Sequence, residues 1–258
     1  MFNYGFVLAL CLTFGAGIAT SLGGFATFFV KRDNLKALAF FLSFAAGVML
    51  YVSYMVLLPQ GKDLLWTELS FKKSMIIFPI AFALGLIVAL LIDKFLPDPD
   101  FEKKKSAEQK DVLKVGFFMA IVLAIHNFPE GLSTLVSTIS NENIGYKVAF
   151  AMALHNIPEG IAIALPMYYL TESREKAFVY AFLSGLIEPV GAIVGYIMLL
   201  PAVLNNLTGA ILVFVAGLMV YISFMTIFSF MKKSSERKLM VRGLFLALIA
   251  MMLYFYFG

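Results

Sequence analysis

The hexapeptide HNFPEG at residues 126–131 recurs as HNIPEG at residues 155–160, and both copies lie inside long apolar stretches. Each copy places a histidine and a glutamate at positions i and i+4, which share one face of a helix. The proline between them removes a backbone donor, so each copy predicts a kinked helix with a free carbonyl group. His126 and His155 are the only histidines of the chain. The repeated hexapeptide therefore indicates two helices that pool the same polar side chains.

The composition is that of a membrane protein. Apolar residues make up 61% of the 258-residue chain and charged residues 14%, and the mean hydropathy is +0.91. Soluble domains have about a quarter charged residues. The net charge of +4 does not indicate a nucleic-acid partner, because the basic residues lie between apolar runs. The lone Cys11 excludes internal disulfides and thiolate clusters.

Hydrophobic length predicts the number of membrane spans. A bilayer core about 30 Å thick needs roughly 20 apolar residues per helix. We predict an all-α membrane protein, a single polytopic transmembrane domain over residues 1–258 with eight transmembrane helices. A turn at Pro201, Asn205 and Asn206 separates spans six and seven, and a cytoplasmic linker covers about 97–113. The predicted spans are 4–30, 37–58, 74–93, 113–139, 145–169, 176–200, 205–230 and 239–257.

Basic residues predict the orientation. Sixteen of the 20 Lys and Arg residues belong to odd-numbered connections or their borders, and the other four are Lys62, Lys72, Lys73 and Lys147. Because basic loops stay in the cytoplasm, both termini should be extracytoplasmic in a multi-pass protein of the cell membrane. The N-terminus has no basic region before its apolar run and no clear cleavage site, so a retained helix is expected instead of a signal peptide.

Internal repeats predict the architecture. Residues 46–55 resemble residues 216–225 at an offset of 170, and a weaker similarity at an offset of 168 links spans one and six. Each pair of similar spans runs in opposite directions, so we predict a 3+2+3 inverted-repeat bundle with a midplane site and alternating access. The weaker pairs are Gly17 with Gly185, Thr20 with Glu188, and Gly23 with Gly191. Close helix packing is expected of the glycines at 15, 17, 23, 24, 185, 191 and 195.

The two hexapeptides supply a predicted metal site for a transported ion. Ionisable side chains inside a membrane are costly and usually functional. The alternative is a His and a Glu hydrogen-bonded only for helix packing, and the duplication of the motif makes this alternative weaker. Imidazole with carboxylate suits Zn²⁺, Fe²⁺, Mn²⁺ or Cd²⁺, and disfavours Cu(I), Mg²⁺ and Ca²⁺. Two carboxylates would cancel one divalent charge, and without the ion at least one should take up a proton. The candidate ligands are His126, Asn127, Glu130, His155, Asn156 and Glu159.

Two further residues are candidates for the same site. Glu188 precedes Pro189 in the sixth span, beside an expected kink, and is either an accessory ligand or proton relay, or a helix-packing hydrogen-bond acceptor. Met49 is either a core residue, like Met219 at the equivalent repeat position, or a weak thioether ligand.

These motifs resemble the ZIP (Zrt/Irt-like) metal transporter family, and within it the bacterial zinc uptake permeases. The resemblance covers nearly the whole chain and includes both hexapeptides and residues 46–49, 184–188 and 216–219. It implies eight helices, extracytoplasmic termini, import of Zn²⁺ with looser acceptance of Fe²⁺, Mn²⁺ or Cd²⁺, no organic cofactor, and often a homodimer.

The resemblance also implies how the ligands are shared. His126, Glu130 and Glu159 contribute to one metal position with His155 nearby, and Asn127, Glu130, Asn156 and Glu159 contribute to an adjacent one. Many bacterial relatives have acidic residues where this chain has Val56 and Thr226, so a carboxylate of the second position is missing here. The linker also lacks the histidines of many relatives.

Two other classes of function compete with a transporter. Carboxylates and histidines on facing helices also build di-iron enzymes, but those centres need more ligands than this chain offers, and it has no His-Glu-x-x-His motif. An enzyme is therefore not expected. A cation channel remains open, and it would differ in having ohmic instead of saturable flux.

Overall fold

The computed structural model describes residues 4–31, 34–95, 107–199, 208–233 and 236–257. Over these ranges the backbone forms α-helices and helical turns without strands. The predicted turn at Pro201, Asn205 and Asn206 lies outside the described residues, as do residues 97–106 of the predicted linker. The remainder of that linker, from Ala107, belongs to a helix.

Ten α-helices are described. They are α1 (Tyr4–Phe25, followed by a 3₁₀ turn at Ala26–Phe28), α2 (Leu35–Val52), α3 (Leu58–Glu68), α4 (Phe71–Phe95), α5 (Ala107–Ser140), α6 (Glu142–Thr171), α7 (Arg174–Gly185), α8 (Ile187–Leu199), α9 (Thr208–Lys233) and α10 (Arg237–Phe257). A π-helical turn at Ser53–Leu57 joins α2 to α3, and Leu186 alone separates α7 from α8. Six helical segments of the described chain are long and apolar enough to cross a membrane.

The continuous helical rod formed by α2, the π-helical turn and α3 is longer than the sequence predicts. We predicted a second span over residues 37–58. The helix instead continues to Glu68, with Pro59 in the first turn of α3. Pro59 directly follows the π-helical turn, in which the Leu58 N–H donates to the Ser53 carbonyl, so the hydrogen-bond pattern already changes where the proline lacks its N–H.

The sixth predicted span is interrupted between α7 and α8. Pro189 has no N–H to donate to the carbonyl of Gly185, four residues earlier. The α-helical pattern breaks at Leu186, between these two residues. In contrast, α5 and α6 are continuous through Pro129 and Pro158.

Side-chain caps define the turn between the two hexapeptide helices. Asn141 is the single residue between α5 and α6, and its side chain accepts a hydrogen bond from the Ile144 N–H at 3.2 Å. An N-cap asparagine satisfies a donor that the first turn leaves free. Because one extended residue joins the helices, the chain reverses and α6 packs back along α5.

Glycine contacts hold α1, α5, α6, α7 and α8 in one tightly packed group. Gly17 faces the Gly185 carbonyl and Gly185 faces the Gly17 carbonyl, so a Cβ atom on either would overlap backbone. Gly131 faces the Glu188 carbonyl, and Gly160 faces the Thr20 carbonyl in the same way. Small residues let helices approach in lipid, where no hydrophobic effect drives association. The predicted packing role is wrong for Gly15, whose added Cβ would meet nothing within 4 Å.

A second group of close contacts joins α2, α3, α4, α9 and α10. Gly47 of α2 faces Ala247 and Leu244 of α10, and Gly217 of α9 faces the Phe82 carbonyl of α4. Helices α5 and α6 of the first group also pack against α9 and α2 of the second group, respectively. The polar residues of the hexapeptides are buried where these groups meet.

Candidate metal site

The two hexapeptides bring four ionisable side chains together in the protein interior. His126 and Glu130 lie one turn apart on α5, and His155 and Glu159 occupy the corresponding positions on α6. All four are at most 2% exposed. The helical spacing of each motif thus places its imidazole and its carboxylate toward the same buried space.

Glu130 lies between the two imidazoles. Its Oε1 is 3.0 Å from His126 Nε2 and 3.1 Å from His155 Nε2. His155 Nε2 is also 3.6 Å from an oxygen of Glu159. The imidazole rings are 6.2 Å apart with planes at 78°. One ligand atom each from His126, Glu130 and His155 lies within 4.8 Å of the others.

These atoms face one another at the distance of an ion pair. Apart from these mutual contacts, the ring nitrogens of both histidines and the oxygens of Glu130 and Glu159 have no polar partner among the described residues. Buried polar groups are normally paired, and leaving them unpaired is expensive. Ligand atoms around a tetrahedral Zn²⁺ lie about 2.1 Å from the ion, hence about 3.4 Å from one another. The short nitrogen–oxygen distances therefore suit a shared cation as well as a simple ion pair.

Asparagine side chains flank the cluster and are oriented by neighbouring helices. The Asn127 amide nitrogen donates to the Ser184 carbonyl at 2.9 Å and to its hydroxyl at 3.0 Å. The Asn156 amide nitrogen donates to the Ala16 carbonyl at 2.8 Å and to Glu188. Both amide oxygens are buried without a hydrogen-bond partner among the described residues. Each amide thus uses its donor for packing and keeps its acceptor available.

The anchoring carbonyls were missed in the sequence, although a signal for them exists. Ser184 and Ala16 are separated by the offset of 168 that relates spans one and six. Asn127 and Asn156 are separated by the offset of 29 that relates the hexapeptides. Taken together, the two offsets relate the hydrogen bond from Asn127 to Ser184 to the one from Asn156 to Ala16. Backbone acceptors carry no side-chain signature, so only the repeat could reveal them.

Glu188 and Met49 have different surroundings. Glu188 is fully buried, accepts the Asn156 amide through Oε1, and its Oε2 has no hydrogen-bond partner among the described residues. It is therefore linked to the hexapeptide of α6. Met49 is 1% exposed and belongs to a large apolar cluster that also contains Met219 and Met152.

Comparisons with known proteins find relatives along most of the chain. Residues 97–255 match the family model described as ZIP zinc transporter. The chain is 42% identical to "Zinc transporter ZupT" of Chlorobium phaeovibrioides, over 95% of this chain and 96% of that protein. It is 44% identical to the protein of the same name in Oceanobacillus iheyensis, over 92% of each chain, and 38% identical to that of Clostridium perfringens, over 95% and 94%.

The chain belongs to the ZIP zinc transporter family. The resemblance found in the sequence is thereby confirmed, and so is the expectation that the protein is not an enzyme, because the family consists of transporters. Membership together with the apolar helices establishes a multi-pass membrane protein.

The resemblance led us to expect acidic residues at two positions that hold Thr226 and Val56 in this chain. Thr226 is buried, and its hydroxyl donates to the Ile222 carbonyl at 2.7 Å within α9. Val56 is half-buried in the π-helical turn. Neither residue offers a carboxylate, so Glu130, Glu159 and Glu188 are the acidic side chains associated with the site in the described part of the chain.

Proposed function

We propose that this ZIP protein imports divalent transition metal ions, chiefly zinc, into the cytoplasm. The ion is bound near the membrane midplane by His126, Glu130, His155 and Glu159, with Asn127, Asn156 and Glu188 beside them. The observation that carries the proposal is the convergence of two imidazoles on one carboxylate, all buried and, apart from their contacts with one another, without a polar partner among the described residues.

The chemistry of the ligands favours zinc and admits similar metals. Imidazole nitrogen and carboxylate oxygen are common zinc ligands, and they also suit Fe²⁺, Mn²⁺ and Cd²⁺. The relatives named above are called zinc transporters. Buried carboxylates repel one another when no cation lies between them, so a divalent ion stabilises the cluster. Met49 is proposed as a weaker thioether ligand.

We propose a 3+2+3 inverted repeat of eight spans, and repeated contacts between related helices support the repeat. The hydrogen bonds of Asn127 with Ser184 and of Asn156 with Ala16 correspond under offsets of 29 and 168. Similarly, Ser53 donates to the Met49 carbonyl and Ser223 donates to the Met219 carbonyl, each at 2.7 Å. Sites on such a pseudo-two-fold axis are typical of alternating-access transporters.

Burial of the cluster supports alternating access. Because the four ionisable side chains are almost inaccessible to solvent, an ion must enter and leave through rearrangements of the surrounding helices. Pro129 and Pro158 each remove one backbone hydrogen bond next to the cluster, which weakens the helices where movement is required. In this arrangement both termini are extracytoplasmic.

Zinc uptake into proteoliposomes tests the proposal. We expect saturable uptake by the unmodified protein. For His126→Ala and Glu159→Ala we expect zinc affinity to fall by more than the roughly 10- to 100-fold that removal of a group orienting a ligand costs. Gly15→Ala is a suitable control, since its added methyl group meets nothing within 4 Å. Folded His126→Ala and Glu159→Ala proteins with normal uptake would contradict the site, and flux that never saturates would indicate a channel.

A further inference from the structure

A row of hydroxyl groups runs along α5 from the proposed metal site to the end of the helix. Ser133, Ser137 and Ser140 follow Glu130 at intervals of three, four and three residues, so all four share one face. Ser133 and Ser137 are completely buried, whereas Ser140 is exposed. Ten residues of helix span about 15 Å, which is half of a bilayer core about 30 Å thick.

The exposed end of this row opens into a cavity of about 440 Å³ between α3, α5 and α6. Ser140, Gln60, Asp63 and Lys147 are among its lining residues. Gln60 connects the cavity to the buried row, since its amide nitrogen donates to the Ser137 hydroxyl at 3.1 Å. Its amide oxygen is buried and lacks a hydrogen-bond partner among the described residues. Gln60 therefore bridges α3 and α5 and retains a free acceptor.

The equivalent face of α6 has no such row. The offset of 29 that relates the hexapeptides pairs Ser133 with Ala162 and Ser137 with Pro166, both of which are buried. A buried hydroxyl costs free energy that an alanine does not, so hydroxyls retained on one of two related helices call for a role. The difference makes the path beyond Glu130 polar and the path beyond Glu159 apolar.

We propose that Ser133, Ser137 and Gln60 form the cation's route between the cavity and the His/Glu cluster, and that the Gln60–Ser137 contact closes it. This inference rests on the proposed function. The hydroxyl of Ser133 donates to the Glu130 carbonyl at 2.9 Å, so its lone pairs remain available to a cation. Neutral oxygens can replace part of the hydration shell of a divalent ion without holding it as tightly as carboxylates.

The placement of the row also gives transport a direction. Helices α5 and α6 contain the predicted fourth and fifth spans, so the connection between them is the fourth one. The distribution of basic residues assigns even-numbered connections to the extracytoplasmic side. A polar half-route on that side admits ions from outside the cell. Release toward the cytoplasm must then use a different surface, because Ala162 and Pro166 offer no side-chain oxygen.

Cysteine accessibility in purified protein tests the route without any need for zinc. Cys11 is the only native cysteine, so Cys11→Ser gives a cysteine-free background. In it, Ser133→Cys should react with the cationic thiol reagent 2-(trimethylammonium)ethyl methanethiosulfonate on the order of 10-fold faster than Ala162→Cys, because only the polar route admits water and cations. Ser137→Cys provides a second reporter if Ser133→Cys does not elute as a folded protein in gel filtration. Equal rates on the two helices would overturn the route.

The closing contact is tested in the same background. Adding Gln60→Ala to Ser133→Cys removes one hydrogen bond and should speed the modification roughly 2- to 12-fold. An unchanged rate would overturn the assignment of Gln60 as the closing residue. Rapid modification of Ser133→Cys in a protein that fails to take up zinc would count against the proposed function alone, because the labelling does not depend on the metal.

Discussion

Asn127 and Asn156 are anchored in the same way, because each amide nitrogen donates to a carbonyl oxygen of a neighbouring helix. They differ in their second acceptor, which is the Ser184 hydroxyl for Asn127 and the Glu188 carboxylate for Asn156. The two asparagines thus have equivalent backbone anchors, but only Asn156 contacts an acidic side chain.

Replacing each amide with a carboxylate should affect the two positions unequally. Asn156→Asp removes two donors and places a second acid against Glu188, whereas Asn127→Asp can still accept a hydrogen bond from the Ser184 hydroxyl. A buried group that loses its partner costs about 1–3 kcal/mol. We expect Asn156→Asp to unfold several degrees below Asn127→Asp in detergent at neutral pH, followed by intrinsic fluorescence on heating. Equal unfolding temperatures would show that Glu188 does not distinguish the two sites.

Two glycines of α1 form a matched pair for the helix contacts. A Cβ at Gly17 would overlap the Gly185 carbonyl, and one at Gly15 would meet nothing within 4 Å. Gly17→Ala should therefore separate α1 from α7 and destabilise the protein by about 1–3 kcal/mol. Gly15→Ala should be neutral or slightly stabilising, since alanine favours helix by up to about 1 kcal/mol. The same thermal assay measures both, and equal effects would contradict the close approach of α1 and α7.

Most of the fold could be predicted from the sequence because lipid restricts the alternatives. Backbone groups in a bilayer must be satisfied internally, so long apolar runs form helices. The kink expected beside Glu188 is present as a break in the helix, whereas the helix expected to end before Pro59 continues. Pro59 lies in the first turn of α3 and leaves the rod continuous, while Pro189 follows a break at Leu186. Sequence alone does not say which carbonyl a helix can leave unpaired.

The site was predictable where a motif repeats and less so elsewhere. Helical spacing puts His126 beside Glu130 within one hexapeptide, but the contact of Glu130 with His155 depends on how α5 packs on α6. That packing is set by small residues such as Gly145, whose added Cβ would crowd Thr138. Gln60 was not identified because the second span was expected to end before it. Its contact with Ser137 depends on the continuation of α3.

Labelling in intact cells should establish the orientation. In the Cys11→Ser background, Lys62→Cys lies at an even-numbered connection and Lys176→Cys at an odd-numbered one, and both lysines are exposed. Because basic residues concentrate on the cytoplasmic side, a membrane-impermeant maleimide added outside should label Lys62→Cys and spare Lys176→Cys until the cells are opened. The reverse pattern would invert the direction proposed for transport.

Two opposite charges at the rim of the cavity between α3, α5 and α6 should change the rate of zinc uptake in opposite directions. Asp63 and Lys147 both line the cavity and both are exposed. A carboxylate raises the local concentration of cations and an ammonium group lowers it, and salt screens both effects over a Debye length of about 10 Å at 0.1 M. Asp63→Asn should therefore reduce uptake at subsaturating zinc and Lys147→Gln should increase it.

Ionic strength separates this steering from damage to the fold. We expect changes of roughly 2- to 5-fold at 10 mM salt, since exposed charges interact by about 1 kcal/mol or less. At 0.5 M salt the two variants should approach the uptake rate of the unmodified protein, because screening removes what the substitutions changed. A defect of Asp63→Asn that persists undiminished at high salt would instead mean that this carboxylate contacts the ion directly, since a direct ligand is screened far less than a remote charge.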